Sequence, residues 1–203
     1  MIDTFYIAWR YLKFNTIRSI ILISCVSLIA FVPVALQLLL NNSEQQLMSR
    51  AANTPLILGT KGSELDLTMN SLYFDNSKVE FISMLEVEVM EDQQLALVIP
   101  LYNRFKARNF PVIGTTVDYF DYRNLQLESG RWMGVLGETV IGSKVAKTLN
   151  LQVGDSIVTS AESFFDLAGV YPLKMTIVGI LSPSFSADDL ALFTDLKTTW
   201  VIQ

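Results

Sequence analysis

The most pronounced pattern along the chain is one apolar run near its N-terminus. From Ile20 to Leu40 no side chain is charged, and the polar ones are Ser24, Ser27 and Gln37. At about 1.5 Å per residue, a helix over this run is roughly 31 Å long, close to the hydrocarbon thickness of a bilayer. Because lipid offers the backbone no hydrogen-bond partner, the run is predicted to be one membrane-spanning helix.

The flanks of the run favour an uncleaved anchor over a cleaved signal peptide. Arg10, Lys13 and Arg18 precede it, as basic residues do in a signal peptide. The run is nevertheless longer than the roughly 7–15 residues of a signal-peptide core, and large residues at 38–41 replace the small ones of a cleavage site. The positive flank predicts a protein of the cell inner membrane, with a cytoplasmic N-terminus and an exported chain from about residue 43 onward.

Residues 1–16 show helical periodicity before the predicted transmembrane helix, residues 17–42. Apolar side chains recur at Phe5, Ala8, Trp9 and Leu12, with the basic side chains off that stripe. This pattern predicts a short amphipathic helix at the cytoplasmic interface. Two interpretations are open: a simple interfacial anchor, and a docking surface for a cytoplasmic partner.

After the apolar run, residues 41–52 contain good helix formers without Pro or Gly. Leu40, Leu47 and Ala51 continue one apolar face, and Glu44 is among the first charged residues beyond the span. We therefore predict that the helix continues for about three turns as a stalk, until Pro55 ends it.

The rest of the chain predicts an α+β fold. Ser63 to Leu72 reads as a helix with Ser63 as its N-cap. Three segments before residue 103 read as strands: Pro55–Gly59, the alternating Lys78–Met90, and Gln94–Tyr102.

The second half is predicted to be mostly β. One helix is expected after residue 142, with Ser143 as its N-cap and Val145, Ala146 and Leu149 facing inward. The strands, separated by glycine turns, are Phe110–Gly114, Glu138–Gly142, Leu151–Thr159 and Lys174–Leu181.

Charge and composition narrow the function classes. The 203 residues include 15 basic and 20 acidic ones; setting aside the three basic and one acidic residues before Ser43 leaves 12 and 19, a net charge of −7. Such an acidic domain argues against a nucleic-acid partner. There is no histidine, and the single cysteine, Cys25, lies in the apolar run and cannot form an intramolecular disulfide.

No motif indicates catalysis. The phosphate-binding G-x-x-x-x-G-K-[ST] pattern, G-x-S-x-G, H-E-x-x-H and C-x-x-C are all absent. Carboxylate pairs occur at Asp188 with Asp189, Glu91 with Asp92, and Asp118 with Asp121; pairs of this kind are usually solvated loop charges. Ser182–Ser186 reads as a flexible loop. We therefore predict no enzymatic activity, no metal site and no cofactor in this chain.

Taken in order, short motifs of the second half form a more specific pattern. They are Val112–Gly114, Asp118–Phe120, Leu127–Arg131, Glu138–Ala146, Leu149–Asp155, Ile177–Leu181 and Asp188–Trp200. Their order and spacing resemble the extracytoplasmic core domain of the MacB/FtsX-like ABC transporter permeases. The basic start, the single span and the exported domain are also similar to the N-terminal half of those permeases.

The resemblance implies several partners. They are a cytoplasmic ABC ATPase subunit that binds ATP, a second permease subunit in a dimer, membrane lipid and, for some members, periplasmic proteins. Phe5, Trp9, Arg10 and Lys13 are then expected to form the ATPase-coupling surface, and Glu44, Leu47 and Ala51 the stalk.

The resemblance also implies a domain division and a longer protein. Residues 43–101 and 187–203 would form the stalk and a porter-like part, with residues 102–186 as a β-rich inserted subdomain. Family members have three further membrane helices after the exported domain, so we expect either a piece of a longer permease or a truncated relative. The implied function is coupling of ATP hydrolysis to movement of the exported domain, for export or for lipoprotein or peptide handling.

The alternative function is a single-pass, membrane-anchored sensor or binding module that recognises a ligand outside the membrane. It predicts a concave apolar pocket in the exported domain. An anchored hydrolase is disfavoured, because histidine is absent and the single cysteine lies in the predicted membrane span.

Overall fold

The computed structural model describes residues 2–52, 54, 56–75, 79–93, 96–160 and 172–202. The chain divides into two units, residues 1–52 and 53–203. The first unit consists of helix α1 (Ile2–Phe14) and helix α2 (Thr16–Ala52), separated by a turn at Asn15.

Helix α2 contains the predicted membrane span and the predicted stalk. Its part from Thr16 to Asn41 is 26 residues long with a mean hydropathy of 2.6, so it is long and apolar enough to cross a bilayer. The helix continues without interruption to Ala52, giving 37 residues in all, about 55 Å at the standard rise. Pro33 lies inside it, and the prediction of one helix through residue 52 is confirmed.

The second unit is a mixed α/β domain, which confirms the predicted fold class. Its helices are α3 (Glu64–Tyr73), α4 (Met84–Asp92), α5 (Asp118–Tyr122), α6 (Ser143–Leu149), a 3₁₀ helix (Ala187–Leu190) and α7 (Leu196–Ile202). Its strands are β1 (Tyr102–Ala107), β2 (Phe110–Thr115), β3 (Leu127–Gly130), β4 (Glu138–Ile141), β5 (Ser156–Val158), β6 (Lys174–Leu181) and β7 (Leu192–Asp195).

The strands form one sheet in the order β1-β2-β7-β4-β6-β3, and β5 also pairs with β6. The pairs β2–β7 and β4–β6 are parallel, and the others are antiparallel. Strand β6 is long enough to pair with β5 near its start and with β3 near its end.

Both faces of the sheet are covered. Neighbouring residues on the central strands belong to different apolar clusters: Val112 and Ile141 pack with helix α6, whereas Ile113, Val140 and residues of α5 pack on the other side. Successive side chains of a strand point to opposite faces. Strands buried on both faces read as continuous apolar runs, which explains why the sequence revealed them clearly.

Several local predictions are confirmed. Ser63 caps α3, because its hydroxyl accepts a hydrogen bond from the Asp66 N–H at 3.2 Å. The predicted strands Phe110–Gly114, Glu138–Gly142 and Lys174–Leu181 correspond to β2, β4 and β6.

Over the described residues, the strand predictions before residue 102 are wrong; Pro55, Lys78, Gln94 and Leu95 lie outside the described part. The part of Lys78–Met90 that alternates most clearly lies in helix α4, whose N-cap Ser83 accepts a hydrogen bond from the Leu85 N–H. Residues 56–60 and 96–101 have no regular secondary structure. Leu56 is 85% exposed, so it does not form the buried strand that its apolar neighbours suggested.

Two boundaries in the second half are also corrected. The predicted strand Leu151–Thr159 is confined to β5, because Gly154, with φ of +99°, turns the chain just before it. Helix α6 begins at Ser143 itself, and its N-cap is Gly142, which has extended backbone angles.

The predicted division at residues 186 and 187 stays a prediction. Strand β7 follows that boundary and is hydrogen-bonded between β2 and β4, which precede it. Residues from both sides of the boundary therefore share one sheet.

Candidate functional site

The predicted ATPase-coupling residues lie on α1, where the structure describes three of the four side chains. Trp9, Arg10 and Lys13 are all exposed, Trp9 to 67%. Lys13 is four residues from Trp9 and three from Arg10, so it lies beside both on the helix surface. Arg10 also lies near Tyr6, four residues earlier. The side chain of Phe5 is outside the described part.

The predicted stalk residues lie in the last three turns of α2. Glu44 is exposed, and the side chains of Leu47 and Ala51 are outside the described part. The backbone shows that the stalk and the apolar span form one continuous helix.

In the second unit, the most strongly organised polar site is the loop between β3 and β4. The Glu138 carboxylate accepts hydrogen bonds from both terminal nitrogens of the Arg131 guanidinium, one at 2.8 Å, and from the N–H groups of Gly134 at 2.9 Å and Val135 at 3.1 Å. We call these four residues the Glu138 clamp. No pattern in the sequence marks the clamp, because only the folded loop brings Arg131 back to the start of β4.

The clamp favours the ionised form of the Glu138 carboxylate. The hydrogen bond from Arg131 is the main cause that lowers the pKa of Glu138 from 4.5 to about 2, and the Gly134 and Val135 N–H groups lower it further. The same ion pair raises the pKa of Arg131. The Arg131 side chain is 59% exposed and that of Glu138 only 14%, so Arg131 lies on the solvent side of the ion pair.

The clamp fixes an exposed apolar tip. Val135 and Leu136 are 64% and 57% exposed. Gly137 follows them with φ of +81°, and its N–H donates to the Thr198 hydroxyl of α7 at 3.2 Å. The tip is therefore tied both to the start of β4 and to α7.

The carboxylates of Asp188 and Asp189 are buried, so the expectation of solvated charges is wrong for this pair. They are 2% and 1% exposed. Asp188 accepts hydrogen bonds from the hydroxyls of Tyr119 and Ser186, each at 2.7 Å. Asp189 accepts them from the Ser184 N–H at 2.9 Å and from that residue's hydroxyl at 3.0 Å.

These bonds give the Asp188–Asp189 pair a structural role. They order the serine-rich segment Ser182–Ser186, so the prediction of a flexible loop there is wrong, and they place the 3₁₀ helix against Gly142. A Cβ at Gly142 would lie well inside van der Waals contact with the carbonyl oxygens of Asp188 and Asp189. The other two predicted acidic pairs are exposed, as expected.

Among the described residues, no group of three or more carboxylate or thiol side chains could hold a metal ion.

Comparison with known proteins identifies the family. Residues 19–203 match the MacB-like periplasmic core domain. No curated protein sequence matches the chain.

Three solved structures are similar to parts of the chain. The periplasmic region of MacB from Actinobacillus actinomycetemcomitans is 14% identical over 60% of this chain and 58% of its own, with a TM-score of 0.46. The extracellular domain of the noncanonic ABC-type transporter YknZ from Gram-positive bacteria is 14% identical over 51% and 55%, with a TM-score of 0.37. A domain of a permease protein from Porphyromonas gingivalis is 16% identical over 50% and 45%, with a TM-score of 0.35.

The matched parts thus span 45–58% of those structures. The family match covers most of the chain, including α2 from Ser19 onward and the whole mixed domain. One apolar helix followed by a domain of this type fits an inner-membrane protein with an extracytoplasmic domain. The chain therefore belongs to the family of MacB-like periplasmic core domains found in ABC transporter permeases.

Proposed function

We propose that this chain is the part of an ABC transporter permease that carries motion from the cytoplasmic side of the membrane to the extracytoplasmic domain. A partner ATPase subunit binds and hydrolyses ATP and contacts α1, with Trp9 and Lys13 on the contacting face. The N-terminus is cytoplasmic, and the chain from about residue 43 is exported. The chain itself catalyses no reaction.

The observation that carries this proposal is the continuity of α2. The helix runs from Thr16 to Ala52, so about 11 residues, or roughly 16 Å at the standard rise, extend past the apolar span. Pro33 has no N–H to donate to the Ile29 carbonyl, but the helix continues through it and past the apolar span without a linker. A displacement at α1 is therefore delivered at Ala52 rather than absorbed by a linker.

The family supports the rest of the assembly. Because ABC transporters work with ATPase subunits, the partner is a cytoplasmic subunit of that kind, and a second permease subunit completes a dimer. The transported or handled molecule is a lipoprotein, a peptide or another exported compound that approaches the mixed domain. Nucleic acid is not a partner, since the exported domain is acidic.

The proposal is tested by co-expressing the permease with candidate ATPase subunits and measuring co-purification and ATP turnover. Trp9→Ala and Lys13→Gln should weaken co-purification, whereas Lys61→Gln, an exposed change of equal charge in the second unit, should not. A permease that neither binds an ATPase nor changes its turnover would overturn the proposal. An anchored sensor would then be the better description.

A further inference from the structure

One short stretch of the second unit is basic, although the chain around it is acidic. Between residues 93 and 117 there is no acidic residue, and there are three basic ones, Arg104, Lys106 and Arg108. Of the 12 basic residues from Ser43 onward, the other nine stand against 19 acidic ones. We call Arg104, Lys106 and Arg108 the basic hairpin, because they lie on β1 and in the turn that joins it to β2.

The three cations of the basic hairpin lie in a row on one face. All three are exposed, whereas the residues between them, Phe105 and Ala107, are buried. Successive side chains of a strand alternate between its faces, and every second side chain is about 7 Å further along. The three positive charges therefore form a row about 13 Å long on the solvent side of β1.

Neighbouring residues fix the position of this row. The Arg104 guanidinium lies 5.6 Å from the centroid of the Phe81 ring, which stacks on Tyr102 with the centroids 4.9 Å apart. A guanidinium stacked in this way still presents N–H donors along its edge. The Lys106 carbonyl oxygen accepts a hydrogen bond from the Ser160 N–H at 2.7 Å, so the strand edge is already paired at this point. A ligand would therefore contact the row through side chains and not by adding a strand.

Arg108 is not a residue that its turn favours. The last strand pair, Ala107 with Phe110, leaves Arg108 and Asn109 as the two turn residues, and both have positive φ, 47° and 74°. Hairpin turns of this kind favour asparagine and glycine, because most other side chains are strained there. Among the described residues, no carboxylate forms an ion pair with Arg108 or Lys106. In that part of the chain, the charge of Arg108 thus serves neither the turn nor an internal ion pair.

We propose that the basic hairpin binds an extended acidic segment of an exported partner protein, with carboxylates at alternate positions. An extended chain repeats every second side chain at about the same 7 Å spacing as β1, so its carboxylates meet the cations one to one. The guanidinium fork of arginine matches a carboxylate. The surrounding acidic surface repels a long polyanion such as nucleic acid more than a short segment. The inference rests on the proposed export of the domain but not on coupling to an ATPase.

The test measures peptide binding to the full chain in uncharged detergent, by fluorescence anisotropy and without an ATPase. Two dye-labelled peptides of glutamate and serine have the same length and composition, one with glutamate at alternate positions and the other at every third position. Arg108→Asn removes one charge and gives the turn a residue that tolerates positive φ. Lys147→Gln, an exposed change of equal charge on α6, is the matched control.

The wild-type chain should bind the alternating peptide about threefold more tightly than the other peptide, because each exposed ion pair contributes little. Arg108→Asn should weaken that binding about threefold, without lowering the urea midpoint of the domain, and Lys147→Gln should leave it unchanged. Equal affinities for the two peptides, or equal losses in the two variants, would mean general charge attraction and would refute the proposal. Tighter binding of an oligonucleotide of the same charge would also refute it, because the row would then select phosphates.

Discussion

The Glu138 clamp makes the stability of the extracytoplasmic domain depend on one surface carboxylate. Glu138→Gln keeps the shape of the side chain but removes its charge, and the new NH₂ group faces N–H donors that need an acceptor. A pKa lowered from 4.5 to about 2 corresponds to at most roughly 3.5 kcal/mol, at about 1.4 kcal/mol per unit. Because the Arg131 side chain is 59% exposed, solvent screening reduces the expected loss to about 1–2 kcal/mol.

The pH dependence of that loss has a definite sign. A carboxylate whose pKa is lower in the folded state stabilises the fold above its unfolded pKa, and this contribution disappears as pH falls through the folded pKa. The wild-type protein should therefore lose its advantage over Glu138→Gln between about pH 5 and pH 2.

Urea unfolding of the full chain in detergent measures both effects. Trp132 is a suitable fluorescence reporter for this region, because its ring stacks on the buried Phe120 with the centroids 4.4 Å apart. Glu128→Gln, an exposed change of equal charge on β3, is the matched control. If the two variants unfold at the same urea concentration at pH 7, or if their difference does not shrink in acid, the clamp does not stabilise the domain.

Two further predictions concern the close packing of the second unit and the topology of the chain. Gly142→Ala should destabilise the domain by more than about 2 kcal/mol, because its Cβ would overlap the carbonyl oxygens of Asp188 and Asp189. The control is Gly62→Ala, whose Cβ meets nothing within 4 Å. Equal urea midpoints for the two variants would contradict this packing. In a Cys25→Ser background, a membrane-impermeant maleimide added to spheroplasts should label Lys61→Cys but reach Lys13→Cys only after permeabilisation; the reverse pattern would place the N-terminus outside.

The helical membrane span and the second half of the domain could be predicted from the sequence for physical reasons. In lipid, the backbone of a single apolar run such as Ile20–Leu40 can satisfy its own hydrogen bonds only as a helix. Strands β2, β4 and β6 are buried on both faces, so each shows a short apolar run closed by a turn.

The secondary structure of residues 78–101 is harder to predict, because the sequence contains two conflicting signals there. The alternation Leu85-Glu86-Val87-Glu88-Val89 has the period of a strand, but Ser83 and Glu86 have the spacing of a capping box, which marks the start of a helix. In the structure Ser83 does cap α4. The capping box is therefore the stronger indicator of secondary structure here, because the alternation extends over only five residues.

The polar sites could not be predicted because their partners are distant or depend on a loop. Asp188 is paired with Tyr119, 69 residues earlier. The Glu138 clamp needs the backbone N–H groups of Gly134 and Val135 to converge on one carboxylate. Neither arrangement leaves a periodic or spaced pattern in the sequence.

The central claim, that α2 carries motion from the ATPase to the extracytoplasmic domain, is tested most directly by a distance measurement. Lys147→Cys, exposed on α6, is spin-labelled in a Cys25→Ser background, and the separation between the labels of two copies is measured with the ATPase bound to ATP or to ADP. Four glycines are inserted after Ser43, and four alanines, which preserve the helix, at the same place in the control.

The account predicts a nucleotide-dependent change of the distance in the uninserted and alanine-inserted proteins, and the loss of that change in the glycine-inserted one. The same change in all three proteins would contradict it, because the motion would then reach the domain without a rigid α2.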